Sequence, residues 1–310
     1  MFNVDKFEKS RQTHLGWKAD KVSLNHQQGE GKRQMADISG LTTTDHRILE
    51  NSKLRTPNSH RMFCRVNLMW AILTLLILAA CTSSLQRKED ALAYMRLGDS
   101  MLREGRPTQA LAELIKANDL DPNNPVIRNV LGIAYLEKGM VRQAIHQFEK
   151  ALYLDPNYVE VHNNLGTALL RDGRVKEAIK EFNTALENPM YPTPHFVQYN
   201  LGQAHFTLKE FDKAREYYLE ALKLSPAYSL AYHGLGLAWK ATNHMEEAAE
   251  ALKKALENAP KFAQAHYDLG EVLLELKQPS LARLAFREVI SLVPESDLGR
   301  KAQQRLKELK

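Results

Sequence analysis

The sequence has few of the residues that build disulfide frameworks, metal sites or active sites. It contains two cysteines in 310 residues, which excludes a disulfide framework. No cysteine–histidine cluster has the spacing of a zinc site, and neither G-x-S-x-G, H-E-x-x-H nor a glycine-rich phosphate loop occurs. The histidines are scattered without a shared nucleophile or acid. We therefore expect no enzymatic activity, no metal, no cofactor and no small-molecule substrate.

Most of the chain carries no excess of positive charge, although the net charge of the whole sequence is +5. Residues 1–61 hold eleven Lys and Arg against seven Asp and Glu, and Arg65 supplies the fifth positive charge. The residues after position 81 carry thirty charges of each sign. Because nucleic-acid binding requires a basic domain or stripe, we expect a protein partner and no nucleic acid.

An apolar run long enough to span a bilayer is lacking too. Leu68–Ala80 is apolar over thirteen residues apart from one Thr, whereas a transmembrane helix needs about 20. A run of this length after a positive residue, here Arg65, is typical of a signal peptide. It ends in Leu78-Ala79-Ala80-Cys81, which resembles the lipobox of bacterial lipoproteins. The resemblance implies cleavage before Cys81 and lipidation of its thiol; a short membrane anchor or a core helix is the alternative.

The first 90 residues therefore divide into three segments. We expect a disordered leader at 1–61, a signal peptide at 62–80, and the lipidated cysteine with a tether at 81–90. If translation starts at Met62, the leader is not part of the translated protein. A genuine cytoplasmic tail on an uncleaved anchor is the alternative.

From residue 91 onward the sequence repeats every 34 residues, with a single step of 36. Each unit has a Leu-Gly pair, an alanine twelve residues after that glycine, and a closing proline. The glycines are Gly98, Gly132, Gly166, Gly202, Gly236 and Gly270; the alanines are Ala110, Ala144, Ala178, Ala214, Ala248 and Ala282; the prolines are Pro122, Pro156, Pro192, Pro226, Pro260 and Pro294. Apolar residues recur at helical spacing in two stretches of each unit. One helix pair cannot bury its apolar faces alone, so the units must stack.

This pattern resembles the tetratricopeptide repeat. The resemblance implies an all-α fold, a right-handed superhelical solenoid of six repeats with a C-terminal capping helix. Residues 297–310 carry Leu298, Ala302 and Leu306 on one helical face, as expected for that cap. The six repeats are 91–124, 125–158, 159–194, 195–228, 229–262 and 263–296.

The resemblance also implies a partner-binding groove, lined by residues of the first helix of each repeat. The groove candidates are Leu92, Met95, Asn129, Ile133, Asn163, Phe196, Tyr199, Gln203, Phe206, Leu230, His233, Leu237 and Tyr267. Phe196, Tyr199 and Phe206 form the best anchor set, since aromatic groups dominate binding surfaces; packing between neighbouring helices is the alternative. Asn164 and Asn200 match a carboxylate-binding asparagine of some chaperone-docking arrays, but the matching Lys and Arg are missing, so we expect no carboxylate clamp.

The one irregular step lies between the third and fourth repeats. Two extra residues enter within 186–191, in a stretch made stiff by prolines. We call this stretch, with Pro189, Tyr191 and Pro192, the repeat-break segment. It is either a tolerated loop insertion or a functional segment. In the second case we expect it to set the angle between the first three and the last three repeats, or to touch a partner.

A lipobox followed by six such repeats resembles the pilotin lipoproteins of type IV pili, the PilF/PilW-type family. A Tyr-Pro segment before the fourth repeat adds to the likeness. The resemblance implies an outer-membrane lipoprotein that faces the periplasm, binds a secretin subunit and assists its localisation and assembly. Two alternatives stay open: an envelope scaffold lipoprotein for cell-wall or polysaccharide machinery, and a periplasmic chaperone-like repeat protein.

Overall fold

The structure is a computed structural model that describes residues 69–70, 82, 84–189 and 191–309. The chain divides into two units, Met1–Glu89 and Asp90–Lys310. The expected leader, Cys81 and nearly all of the expected signal peptide lie outside the described residues. In the first unit the described residues, including 84–89 of the expected tether, are helical. No described helix has the length and apolarity needed to cross a bilayer.

The second unit consists of helices, and none of its described residues lies in a strand. Helix α1 covers residues 90–103. The others are α2 (Pro107–Leu120), α3 (Pro125–Glu137), α4 (Val141–Leu154), α5 (Val159–Arg171), α6 (Val175–Leu186), α7 (Pro194–Thr207), α8 (Phe211–Leu224), α9 (Ser229–Ala241), α10 (Met245–Asn258), α11 (Ala263–Glu275), α12 (Pro279–Leu292) and α13 (Asp297–Glu308). The predicted all-α solenoid of six helix pairs with a terminal helix is confirmed.

Successive helices pack as antiparallel neighbours, and each pair stacks on the next. From α3 onward, each odd-numbered helix also contacts the next odd-numbered helix. Even-numbered helices in the described part of the chain make no comparable contacts with one another. The odd-numbered helices therefore lie on the inner side of the curved array, and the even-numbered helices lie on its outer side. Helix α13 packs on α12 and α11, and it buries Ala302 as the expected cap does.

The turn inside each helix pair requires one residue with a positive φ. Glycine occupies this position in the first three pairs, for example Gly139 with φ +71°. Lys209, Asn243 and Lys277 occupy it in the last three, with φ between 57° and 63°. Glycine adopts this conformation without strain and asparagine tolerates it. The turn geometry is thus repeated although the residue changes.

The Leu-Gly glycines let the two helices of a pair approach closely. A Cβ atom added to Gly132 would lie 2.5 Å from Phe148 Cε1, and Phe148 is completely buried. Equivalent contacts join the remaining Leu-Gly glycines to Leu114, Phe182, Tyr218, Leu252 and Phe286. The crossing expected between Gly132 and Ala144 is therefore filled by the Phe148 ring, while Ala144 is itself completely buried.

The two extra residues of the irregular step change the lengths of both helices that flank it and of the connection between them. Helix α6 has 12 residues where the other even-numbered helices have 14, and α7 has 14 where most odd-numbered helices have 13. The connection 187–193 is correspondingly longer than its four-residue counterparts, such as 155–158. Tyr191 is buried in the core that contains Val161 and Val197, whereas Pro189 and Pro192 are exposed. The segment is thus attached to the core by one aromatic side chain.

Candidate partner-binding surface

All thirteen predicted groove residues lie on odd-numbered helices, which form the inner side of the array. Asn129 and His233 are buried, with 7% and 4% of their surface exposed. The other eleven are half-buried: Leu92, Met95, Ile133, Asn163, Phe196, Tyr199, Gln203, Phe206, Leu230, Leu237 and Tyr267. The structure therefore places all thirteen residues on one side of the array.

A ladder of side-chain amides crosses the N-terminal half of this inner side. Asn164 Nδ2 donates to Asn129 Oδ1 at 2.9 Å, which joins α5 to α3. Asn200 Nδ2 donates to Asn163 Oδ1 at 2.9 Å, which joins α7 to α5 in the same way. Asn200 also lies 3.4 Å from Thr167 Oγ1. Asn164 and Asn200 thus connect repeats, which gives each amide a structural role.

Ionisable groups join the inner helices of the C-terminal half. His233 Nε2 lies 2.7 Å from Asp268 Oδ2, which joins α9 to α11. Arg305 donates two hydrogen bonds to the carboxylate of Glu271, at 2.8 and 2.6 Å, which joins α11 to α13. Bidentate arginine–carboxylate pairs fix geometry as well as charge. The capping helix is therefore held by a directional contact in addition to apolar packing.

Aromatic rings replace the ladder between α7 and α9. Gly234 stands in α9 where α5 and α7 have Asn164 and Asn200, so it has no side chain with which to continue the series. A Cβ atom there would lie 2.6 Å from Tyr218 Cζ. Tyr199 lies 5.8 Å from Tyr218 and 5.4 Å from Tyr228, measured between ring centroids. Aromatic rings therefore fill this junction in place of the paired amides.

Burial dominates the electrostatics of the aromatic junction. Burial raises the pKa of Tyr199 to about 12, although a hydrogen bond from Gln203 opposes the rise. Burial also raises the pKa of Tyr218 and that of Tyr228 well above the ordinary tyrosine value. All three phenols are therefore neutral at physiological pH. Phe196, Tyr199 and Phe206 all pack against the core of this junction.

Several residues that build the inner side were not predicted as site residues. Asp268 and Arg305 join repeats, and Tyr228 lies at the aromatic junction, but none of these three stands at a predicted groove position. A signal was present in the sequence, because Asn164, Asn200 and Asp268 each directly precede a Leu-Gly pair. That position carries Asn or Asp in three of the last four repeats, which marks it as a candidate for contacts between repeats.

His162 provides a pH-dependent contact within the third helix pair. Its Nδ1 lies 2.7 Å from Glu181 Oε2 on α6. The hydrogen bond from Glu181 raises the pKa of His162, and burial opposes this rise. The charged form is thus stabilised by folding, so its contribution is fully present below the unfolded pKa of about 6.5 and is lost as the pH rises through the folded pKa.

We predict that His162→Gln destabilises the protein more at pH 5.5 than at pH 8. The difference in free energy of unfolding is expected to be about 1 kcal/mol or less, the range of partly exposed ion pairs. Chemical denaturation of both proteins at the two pH values measures it. His146→Gln, which changes an exposed histidine on α4, is the control. An equal loss at both pH values would show that the charge of His162 does not contribute.

Sequence profiles described as tetratricopeptide repeats match residues 129–193, 195–228 and 233–297. Together these segments make up more than half of the chain. The chain belongs to the tetratricopeptide repeat family. Tetratricopeptide repeat proteins are generally non-catalytic scaffolds. Among the described residues, no group of three or more His, Cys, Asp or Glu side chains is placed to hold a metal ion.

Solved structures share this tetratricopeptide repeat fold along most of the second unit. PilW, described as a widely conserved type IV pilus biogenesis factor, is 23% identical with a TM-score of 0.63; the match covers 69% of this chain and 98% of PilW. PilF of Pseudomonas aeruginosa is 22% identical with a TM-score of 0.59, and the match covers 71% of this chain and 99% of PilF. These identities show the fold alone.

The fold is also shared with proteins of other kinds. A chain of the APC/C heterotetramer Cut9–Hcn1 is 20% identical with a TM-score of 0.63, but the match covers only 43% of that chain against 71% of this one. No curated protein matches the sequence significantly. Since 447 solved chains match this fold, the fold does not select a partner.

Proposed function

We propose that this protein is a membrane-anchored, non-enzymatic protein-binding scaffold that supports type IV pilus biogenesis. Its partner is a secretin subunit, and its role is to assist secretin localisation and assembly. The protein is an outer-membrane lipoprotein that faces the periplasm. The partner binds along the inner side of the array, where the odd-numbered helices present the predicted groove residues.

The observation that carries the proposal is the correspondence in length with PilW and PilF. The matches cover 98% and 99% of those two chains, so nearly the whole of each aligns with about 70% of this chain. The matched chain of the Cut9–Hcn1 heterotetramer, by contrast, is covered only to 43%. Repeat number sets the length of the binding surface that a solenoid offers. The similarity therefore extends to the dimensions of the whole binding unit.

The proposal of a lipid anchor depends on the sequence around Cys81. An apolar stretch too short to span a bilayer precedes this cysteine. An acyl chain contributes about 0.8 kcal/mol to the free energy of membrane binding for each buried methylene, and two or more chains give stable anchoring. The repeats begin about ten residues after Cys81, so a lipidated Cys81 keeps the first helix pair close to the membrane surface.

Deleting the gene tests the proposed role in the bacterium that carries it. We expect secretin multimers in the outer-membrane fraction to fall at least tenfold, with secretin monomers remaining and pilus-dependent motility lost. Expression of the full-length protein from a plasmid should restore the multimers. Normal secretin multimers in the deletion strain would reject the proposal. Cell-wall or polysaccharide defects in that strain would favour the envelope scaffold instead.

A further inference from the structure

The inner helices of the fourth and fifth repeats are almost free of charge. Helix α7 contains no Asp, Glu, Lys or Arg, and Lys240 is the single such residue of α9. The outer helices of the same repeats, α8 and α10, each contain six. The inner helices on either side are charged too, with Glu160 and Arg171 on α5 and three acidic residues on α11. We call α7 and α9 together the neutral wall.

Side chains of the neutral wall are not fully covered by the protein itself. Phe196, Phe206, Leu230 and Leu237 are all half-buried, so part of each apolar surface faces solvent. Depletion of charge together with enrichment in aromatic residues is the composition that marks the core of protein–protein interfaces. A charge-free surface between charged neighbours is thus suited to an uncharged partner, because a charged side chain placed on it would lose water without gaining a counter-ion.

Tyr228 provides an independent observation at the same place. Its side chain is 9% exposed, and its hydroxyl oxygen is buried with no hydrogen-bond partner. The equivalent residue two repeats earlier, Tyr158, accepts a hydrogen bond from Asn129 Nδ2 at 3.5 Å. The position equivalent to Asn129 is Tyr199, which instead accepts a hydrogen bond from Gln203. A buried polar group without a partner is rare in native proteins and requires an explanation.

We propose that the neutral wall binds an uncharged, apolar polypeptide segment, and that the Tyr228 hydroxyl donates a hydrogen bond to a backbone carbonyl of that segment. The inference rests on the proposed function as a protein-binding scaffold and assigns the site and the chemistry of the bound segment. His195 and Phe196 pack edge-on against the Tyr228 ring. Both are half-buried, so a segment that displaces the Phe196 ring gains access to the hydroxyl.

The test measures binding of a synthetic peptide to the full-length protein by fluorescence anisotropy. The probe is a labelled ten-residue peptide that alternates Val or Phe with Thr or Gln. We expect it to bind with a Kd that changes less than about twofold between low and high salt, since no ion pairs are involved. Replacing two of its Thr residues by Asp or by Lys should raise Kd at least tenfold. Absence of binding, or tighter binding of a charged peptide, would overturn the proposal.

Tyr228→Phe separates the binding role of the hydroxyl from a structural one. We expect Kd for the uncharged peptide to rise about fivefold, the effect of one hydrogen bond. The thermal unfolding midpoint should stay unchanged or rise, since an unpaired buried hydroxyl is removed. The control, Tyr158→Phe, should lower the midpoint slightly and leave Kd unchanged. An unchanged Kd in Tyr228→Phe, or a lowered midpoint with normal binding, would contradict the assignment.

A second variant keeps the test decisive if Tyr228→Phe does not fold. Leu237→Asp places a charge on the neutral wall at a half-buried position and should abolish binding of the uncharged peptide while the helices persist. Normal binding by this variant would reject the neutral wall as the site. These results are independent of the deletion experiment. A bound peptide with normal secretin multimers in the deletion strain would reject the pilus role and retain the site.

Discussion

Gly132→Leu is expected to lower the free energy of unfolding by about 1–3 kcal/mol, the range for overpacking a well-filled core. A Cβ atom alone would lie 2.5 Å from Phe148 Cε1 and 2.8 Å from Phe148 Cδ1. The Phe148 ring cannot retreat, because it is completely buried. Leucine would therefore separate α3 from α4. Chemical denaturation followed by circular dichroism measures the change.

Gly139→Asn is the matched control for this prediction. Gly139 has a φ of +71°, and nothing lies within 4 Å of the position that its Cβ would take. Asn243 occupies the equivalent turn of the fifth helix pair with a φ of 63°. We expect a loss of less than about 1 kcal/mol, because asparagine tolerates this conformation. If both variants lost the same stability, close packing of Gly132 against Phe148 would not be the cause.

Cys81→Ser is expected to remove the protein almost completely from the outer-membrane fraction. Serine cannot form the thioether on which lipidation and cleavage depend, so the variant would keep its signal peptide and carry no acyl chains to anchor it in the outer membrane. The circular dichroism spectrum and the unfolding midpoint of the repeats should not change, because the repeat array begins ten residues later. Fractionation and immunoblotting of the native and variant proteins measure the shift.

The chain supplies its own control for this experiment in Cys64, its one other cysteine. Cys64 lies before the apolar run and has no lipobox in front of it. Cys64→Ser should therefore leave the protein in the membrane fraction. Retention of Cys81→Ser in the outer-membrane fraction would contradict the lipoprotein assignment.

The fold could be predicted from the sequence because the repeat signal is carried by residues with a single structural role. Gly132 and its equivalents must be small where an aromatic or leucine side chain crosses them. Ala144 and its equivalents are completely buried. The ring that fills the crossing, Phe148, was not predicted, since one repeat read alone does not show which apolar residue reaches the glycine of the other helix.

The inner side was only partly predictable, because its bonds join residues about 35 positions apart. The Asn164–Asn129 and His233–Asp268 contacts depend on how one repeat stacks on the next. Sequence spacing assigns a residue to the inner side, but it does not decide whether that residue is paired within the array. The sequence does not show that the Tyr228 hydroxyl is unpaired. It is unpaired because Tyr199 stands at the position where an earlier repeat has Asn129, which donates a hydrogen bond to the equivalent tyrosine.

Photo-crosslinking in living cells tests the central claim, that the inner side of this array binds a secretin, most directly. A photoreactive amino acid is placed at Leu237 on the neutral wall or at Tyr153, which is 84% exposed on the outer helix α4. The account predicts a secretin adduct from position 237 and none from position 153. Adducts from position 153 alone, or adducts from position 237 that contain no secretin, would contradict it.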